Sequence, residues 1–404
     1  MATAVHKSVG KRRVFYIPGY DPFPPRRYRE LYRAQSGEQA EISGYEISVR
    51  QRIGGEGYGW YVDAVIDGAK VTAEFDVLKW SDLVKSSMSQ SIAGTYYQLF
   101  KTAWIYIGSG TMRRLMWLRK GPVIAAFYPI FVLLGQALVA ILLAWAVGAV
   151  VSRLVYDGVG WIVALPIIVV TLQWFRSIDN RFFAYYLMHD YAFAAGLNGR
   201  NPPQLETRMD QFRKQIETAL AADVDEVLVV GHSSGAHLAV SILADLIRER
   251  SVRRNGPQLA FLSLGQVVPM VSFLPKAQRL RADLRYLSMS DRLTWVDVSA
   301  PGDGCSFALC DPVAVTGVAT ENKRWPIVFS AAFTQSLSPQ RWQAMKRKYF
   351  KLHFQYLCAF DRPKDYDYFQ ITAGPKTLAD RYGNRPPSKS RIDVPASRYT
   401  SMAA

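Results

Sequence analysis

The stretch VLVVGHSSGAHLAVSILADLI at residues 227–247 decides the fold class. Its first four residues are all apolar, which is typical of a strand in the middle of a parallel sheet. The pattern Gly-x-Ser-x-Gly follows, from Gly231 to Gly235. Four apolar residues then recur at helical spacing, namely Ala239, Ile242, Leu243 and Leu246. The sequence therefore predicts a strand, a tight turn centred on Ser233, and a helix.

Helical and strand patterns alternate around this turn. A helical repeat covers 209–219, and apolar runs typical of strands follow at 259–264 and 294–299. Upstream, residues 45–79 alternate between apolar and polar side chains around Asp67-Gly68, a dipeptide typical of hairpin turns. We therefore expect an α/β fold, in which a mostly parallel sheet is flanked by helices and carries an inserted antiparallel β segment.

Two long uncharged runs lie between these regions. Residues 121–152 contain no charged side chain, and neither do residues 158–175. Because about 20 apolar residues span a bilayer core, the two runs predict a transmembrane helical hairpin with a turn at 153–157. A pair of buried helices inside a large soluble domain is the alternative.

Basic residues flank this hairpin on both sides, namely Arg113, Arg114, Arg119, Lys120, Arg176 and Arg181. By the positive-inside rule, both flanks face the cytoplasm. No apolar stretch of signal-peptide length follows Arg13, which agrees with a cytoplasmic N-terminal part. We therefore expect a protein integral to the cell (inner) membrane, with the domain around Ser233 facing the cytoplasm.

The bulk composition limits the partners. The formal net charge is +16 and the sequence pI is near 9.7. The sequence has no zinc-finger spacing or RNA-binding signature, so the basic charge favours an anionic membrane surface over nucleic acid. Three cysteines, Cys305, Cys310 and Cys358, are too few for a disulfide framework and lack the paired spacing of a zinc site. We expect a lipid bilayer as partner, and no nucleic acid.

Ser233 is the candidate nucleophile. A nucleophile elbow requires this strand–turn–helix context, because a sharp turn lifts the hydroxyl above the edge of the sheet. Gly231 and Gly235 leave room for the strand and the helix to approach each other. The N-terminus of the helix favours a developing negative charge. An ordinary strand-to-helix turn is the alternative interpretation.

A serine nucleophile needs a base, and the chain has five histidines. Where such an elbow carries the nucleophile, the acid and then the histidine follow it along the chain. His353 is the histidine that follows the last predicted strand. The alternative is a histidine on the face of an amphipathic helix at 345–357. The acid is expected just beyond the strand at 294–299, where such sheets carry functional groups. Asp303 lies there between two glycines.

Two other aspartates remain open as the acid: Asp297 inside the strand and Asp311 a few residues later. The chemistry also needs two backbone N–H donors for an oxyanion. One is the amide of Ser234, directly after the nucleophile. The apolar run 14–17 ends in Pro18-Gly19, and the amide of Tyr20 is the expected second donor.

Together these features resemble the α/β-hydrolase fold, close to its lipase-like and esterase-like members. The resemblance covers roughly residues 14–20 and 183–372. It implies hydrolysis of a carboxylic ester, with lipid esters among the candidate substrates, through an acyl-enzyme on Ser233, His353 and Asp303, with no metal and no organic cofactor. The chain departs from the pattern in its inserted segments and in Pro18, where many relatives have histidine.

Other functions fit the same residues. An acyltransferase would use the same three side chains, and a membrane scaffold would keep the fold without the activity. The expected division of the chain is a basic N-terminal segment (1–13), the first part of the hydrolase domain (14–110), the hairpin with its flanks (111–182), the second part of the domain (183–374) and a polar mobile tail (375–404).

Overall fold

The computed structural model describes residues 8–54, 57–88, 91–156 and 158–403. Its strands are β1 (Lys11–Ile17), β2 (Glu46–Gln51), β3 (Tyr58–Ile66), β4 (Ala69–Val77), β5 (Glu226–His232), β6 (Gln258–Leu264), β7 (Thr294–Ser299) and β8 (Ile327–Ser330). The helices before β5 are α1 (Arg26–Ser43), α2 (Ser81–Met88), α3 (Ile92–Gly108), α4 (Thr111–Leu118), α5 (Lys120–Leu154), α6 (Val159–Ser177), α7 (Asp179–Phe182), α8 (Ala184–Ala195) and α9 (Pro203–Leu220). Those after it are α10 (Gly235–Arg248), α11 (Val268–Ser272), α12 (Gln278–Met289), α13 (Pro312–Thr316), α14 (Phe333–Ser336), α15 (Pro339–Met345), α16 (Tyr349–His353), α17 (Tyr368–Ala373) and α18 (Leu378–Tyr382).

The strands form one eight-stranded sheet in the order β2-β3-β4-β1-β5-β6-β7-β8. All neighbours from β4 to β8 in this order are parallel, and only β2, β3 and β4 pair antiparallel. The predicted α/β class with a mostly parallel sheet is therefore confirmed. The antiparallel segment is not a separate unit, because β4 pairs with β1 and extends the same sheet.

Helices cover both faces of the sheet, as the all-apolar sequence of β5 requires. Val227 and Val229 pack in one core with α9, α10 and α12. Leu228 and Val230 point the other way, into a core shared with α1, α17 and α18. This alternation buries β5 completely, so that its carboxyl end is held rigidly at the centre of one sheet edge.

The N-terminal strand is longer than the predicted run at 14–17. It begins at Lys11, inside the segment expected to be a basic extension, because Arg12 is buried in an ion pair with Glu226 of β5 at 2.6 Å. The Glu226 carboxylate thus neutralises the charge of Arg12. In the sequence alone, that charge disfavours a buried strand at this position. Residues 1–7 of the predicted basic segment lie outside the described residues.

Two helices are long and apolar enough to span a membrane, α5 and α6. Their most apolar windows have mean hydropathies of 2.5 and 1.7, and only 22% and 11% of these windows are buried within the protein. They pack closely where Gly148 meets Gly160, since a Cβ on Gly160 would lie 2.3 Å from the Gly148 carbonyl oxygen. Asp157, part of the predicted turn, lies outside the described residues.

The C-terminal segment differs from the predicted mobile tail. Residues 375–403 include α18 and are tied to the domain by backbone hydrogen bonds. The Ser388 amide donates to the Val328 carbonyl at 2.9 Å, and the Ala396 amide donates to the Val315 carbonyl at 2.9 Å. Leu378 and Tyr382 of α18 are buried in the core. Most of the remaining segment is irregular, so the sequence shows no extended periodic pattern there.

Candidate active site

Ser233 sits in a turn that only small neighbours permit. Its φ is +55°, in the left-handed region that costs a non-glycine residue roughly 1–3 kcal/mol. A Cβ on Gly235 would lie 2.1 Å from the Ile17 carbonyl oxygen, and one on Gly231 would lie 2.8 Å from the Ala236 Cα. The turn is fixed to β6 because the Ser233 amide donates to the Leu264 carbonyl at 2.9 Å. The half-buried side chain of Ser233 stands at the carboxyl edge of the sheet.

Two backbone amides beside Ser233 have no acceptor among the described residues, those of Tyr20 and Ser234. Ser234 precedes the first turn of α10, whose N-terminus presents unpaired N–H groups. The loop carrying Tyr20 lies against the serine, since a Cβ on Gly19 would be 3.0 Å from the Ser233 Cβ. The Trp80 indole fixes this loop by donating to the Pro18 carbonyl at 3.0 Å. Both amides are thus available as hydrogen-bond donors close to Ser233.

His353 and Asp303 form a buried pair. The His353 Nδ1 lies 2.8 Å from the Asp303 Oδ2, which also accepts a hydrogen bond from the Tyr356 hydroxyl at 3.0 Å. The Asp303 Oδ1 accepts from the Cys305 amide at 2.9 Å. Burial alone would raise the pKa of Asp303, but the neighbouring His353 and the Cys305 amide outweigh it and lower that pKa. The carboxylate is therefore ionised at neutral pH and holds the imidazole with Nδ1 protonated.

The other two candidate acids serve different purposes. Asp297 is buried within β7, where its Oδ1 accepts from the Ser263 hydroxyl at 2.5 Å. Burial raises the pKa of Asp297 to about 8, so that its carboxyl stays largely protonated at neutral pH. Asp311 caps α13 by accepting from two backbone amides and pairs with Lys323 at 2.6 Å. Of the three aspartates, Asp303 is the one hydrogen-bonded to His353.

One link of the predicted triad is open in this structure. The Ser233 hydroxyl and the His353 Nε2 have no hydrogen-bond partner among the described residues, including each other. Both groups adjoin the start of the loop after β6, because Ser233 bonds to Leu264 and a Cβ on Gly265 would lie 3.2 Å from the His353 Cε1. Serine–histidine contacts are often long in enzymes without substrate and tighten when it binds.

Compared with known proteins, the chain matches no protein-family model, no curated protein and no solved structure. The candidate function therefore rests on the residues and the geometry of the site itself.

His232 supports the pair in a way that the sequence did not reveal. Its Nε2 lies 3.0 Å from the His353 carbonyl, and its Nδ1 lies 3.4 Å from the Tyr16 hydroxyl. Burial, and then the neighbouring His353, lower the pKa of His232 to about 3, so that it is neutral and donates from Nε2 to the carbonyl. The histidine in the Gly-His-Ser-Ser-Gly motif thus fixes the backbone of the candidate base to the serine turn.

Three possible metal ligands lie close together: Asp303, Cys305 and His353, with their ligand atoms all within 4.8 Å of one another. Burial raises the pKa of the Cys305 thiol strongly, with Asp303 adding to the shift, which disfavours the thiolate that binds metals. The Asp303 carboxylate is also engaged by three donors, as described above. These donors fit a base held by its acid better than a metal centre.

Proposed function

We propose that this chain is a membrane-anchored serine hydrolase that cleaves carboxylic esters, lipid esters among them, on the cytoplasmic side of a membrane. One observation carries the proposal. A serine in a positive-φ turn lies next to two backbone amides that have no acceptor among the described residues, and close to a buried His353–Asp303 pair. Nucleophile, oxyanion donors and oriented base are the parts that acyl transfer by a serine requires.

In the proposed reaction, the Ser233 Oγ attacks the ester carbonyl carbon while the His353 Nε2 takes the hydroxyl proton. The amides of Tyr20 and Ser234 stabilise the resulting oxyanion. The tetrahedral intermediate collapses as His353 gives the proton to the leaving alkoxide, and the alcohol departs. Water then attacks the acyl-enzyme by the same steps and releases the acid. Asp303 remains ionised throughout and stabilises the protonated imidazole.

The membrane part of the proposal rests on α5 and α6 and on the surface next to them. A row of large apolar side chains on one face of α3 is exposed to the surroundings, namely Tyr97, Phe100, Trp104 and Ile107. On α4, the guanidinium groups of Arg113 and Arg114 lie 5.6 and 4.5 Å from the Trp117 ring centroid. Exposed aromatic side chains beside basic ones are typical of the interface between a bilayer and the cytoplasm.

The hairpin also touches the candidate active site. Gly121, at the start of α5, is packed so closely on the loop after Asp303 that a Cβ would lie 3.2 Å from the Gly304 Cα. Arg119 donates to the Ala308 carbonyl of the same loop at 2.7 Å. Membrane insertion of α5 would therefore hold the acid loop near the bilayer surface, where lipid esters are presented.

A fluorophosphonate probe tests the proposed chemistry. The purified full chain in detergent should be labelled, and peptide mapping should find the label on Ser233. A panel of 4-nitrophenyl esters of graded chain length should be hydrolysed in parallel, and added alcohol acceptors would reveal acyl transfer by the appearance of new esters. A folded protein that neither reacts with the probe nor cleaves any ester would instead be a non-catalytic scaffold.

The hairpin predicts tight membrane attachment. After cell lysis the protein should sediment with membranes. It should remain there through washes with about 1 M salt and with alkaline carbonate, because such salt screens the attraction that holds proteins bound by charge alone. A matched chain in which α5 and α6 are replaced by a short polar linker should lose this resistance. Release of the intact protein by salt would show that only its basic surface holds it.

The flanking charges predict a hairpin with both ends in the cytoplasm. A reporter enzyme that works in the cytoplasm should be active when it is fused after Ala404. A reporter enzyme that needs an oxidising compartment should be inactive at the same position. The same pair of reporters fused after Lys120 should give the same result. Opposite results at the two positions would mean an odd number of membrane spans.

A further inference from the structure

A second group of polar atoms, which have no hydrogen-bond partner in the described part of the chain, lies beside the proposed oxyanion donor. It faces a small, partly open cavity of about 20 Å³ between α8, the loop after it and the first turn of α10. Most walls are apolar and include Trp80, Phe193, Leu205 and Val271. Ser234 lines the cavity directly, so that a group bound there would lie next to the proposed oxyanion donor. A cavity needs roughly 10–15 Å³ to hold a water molecule, so this one has room for a single small polar group such as a hydroxyl.

Asp190 and His237 supply such polar groups. Asp190 lies on the face of α8 that lines the cavity, and no described residue forms a hydrogen bond or ion pair with its carboxyl. The His237 Nδ1, on the first turn of α10, is buried without a hydrogen-bond partner. Native proteins leave few buried polar atoms unpaired. The buried His237 Nδ1 and the half-buried Asp190 carboxyl line one cavity next to the nucleophile, and a ligand there would supply partners to both.

We propose that Asp190 and His237 form the polar end of a substrate pocket that binds a hydroxyl group of the ester, so that the enzyme selects hydroxylated esters over plain hydrocarbon ones. This inference rests on the proposed hydrolase function. A hydroxyl is the group that fits both partners, because it donates to a carboxylate and also donates to or accepts from a neutral imidazole.

The charges around the cavity disfavour ions. Burial raises the pKa of Asp190 to about 7, against the opposing effect of His353, and burial lowers the pKa of His237 to about 4. At neutral pH the cavity thus holds an imidazole without charge and a carboxyl that is only partly ionised. Arg200 lines the same cavity and would repel an ammonium group. Asn201 is engaged elsewhere, since its amide donates to the Glu206 Oε1 at 3.0 Å.

The test compares two pairs of esters on the full chain in detergent. 4-Nitrophenyl 3-hydroxybutyrate against 4-nitrophenyl butyrate reports a hydroxyl on the acyl side, and 2-hydroxyethyl butyrate against ethyl butyrate reports one on the alcohol side. We expect kcat/KM to favour the hydroxylated member of at least one pair. Asp190→Leu should lower that preference roughly 10-fold, as expected for losing one hydrogen bond. Asp190→Asn, which keeps a carbonyl acceptor, should restore part of it.

Asp291→Leu is the matched control, because Asp291 is exposed in the loop before β7, at the opposite edge of the sheet. It should leave the preference as in the natural chain. A natural chain that hydrolyses both members of each pair equally would overturn the pocket and leave the hydrolase intact. An Asp190→Leu variant that loses activity equally on the hydroxylated and the plain ester of each pair would overturn the pocket as well. Failure of the hydrolase itself is distinguishable, since Ser233 would then not react with fluorophosphonate.

Discussion

Ser233→Ala is expected to lower kcat for every ester that the natural chain cleaves by on the order of 10⁶-fold, because triad members act as a unit and losing the nucleophile forfeits nearly all of their effect. The substitution removes one half-buried hydroxyl that has no hydrogen-bond partner among the described residues, so that folding should be unaffected. Stopped assays with 4-nitrophenyl esters measure the loss, and thermal unfolding in detergent measures the stability. Fluorophosphonate labelling should disappear with the activity.

Two companion variants sharpen this result. Ser233→Gly should be equally inactive but more stable by about 1 kcal/mol, because glycine adopts a φ of +55° without the cost to a larger residue. Ser251→Ala is the matched control, since Ser251 lies at the opposite edge of the sheet and donates to the Glu217 carboxylate at 2.6 Å. It should keep full activity. Full activity in Ser233→Ala, on any ester, would contradict the proposed nucleophile.

The serine turn was predictable because its signals are local. The apolar β5, the two glycines and the apolar face of α10 all lie within residues 226–248, and each restricts the same short backbone path. The choice of Asp303 was predictable only in part. The position of the loop after β7 favoured it, but the sequence left Asp297 and Asp311 open, because burial and helix capping depend on neighbours far away in the chain.

Other features were not predictable, because they arise from contacts across long sequence distances. The parallel pairing of β4 with β1 joins the antiparallel segment to the main sheet. The sequence pattern of neither strand indicates which strand it pairs with. The short β8 carries only four residues, too few for a periodic signal. Asp190 faces the cavity through the packing of α8, and His232 reaches the carbonyl of a residue 121 positions away. None of these contacts has a local motif.

Asp303→Asn is the second substitution with a large expected effect, on the order of a 10⁴-fold loss in kcat by analogy with serine triads. The reason lies in the donors around the carboxylate. The Cys305 amide must donate to one oxygen, which orients the asparagine with its carbonyl toward that amide and its NH₂ toward His353. The imidazole then accepts at Nδ1 and carries its proton on Nε2. In that tautomer it is unable to take the proton from Ser233.

Kinetics with the same esters, together with NMR of the imidazole nitrogens in the labelled protein, separate this cause from simple misfolding. His353→Ala should lose about as much as Ser233→Ala, and combining it with Ser233→Ala should add little. Asp297→Asn is the internal control: the carboxyl of Asp297 is largely protonated at neutral pH, with its pKa raised to about 8, so that an amide of the same shape should retain activity near that of the natural chain. If Asp297→Asn or Asp311→Asn abolished turnover while Asp303→Asn kept it, Asp303 would not be the acid, although Ser233 would remain the nucleophile.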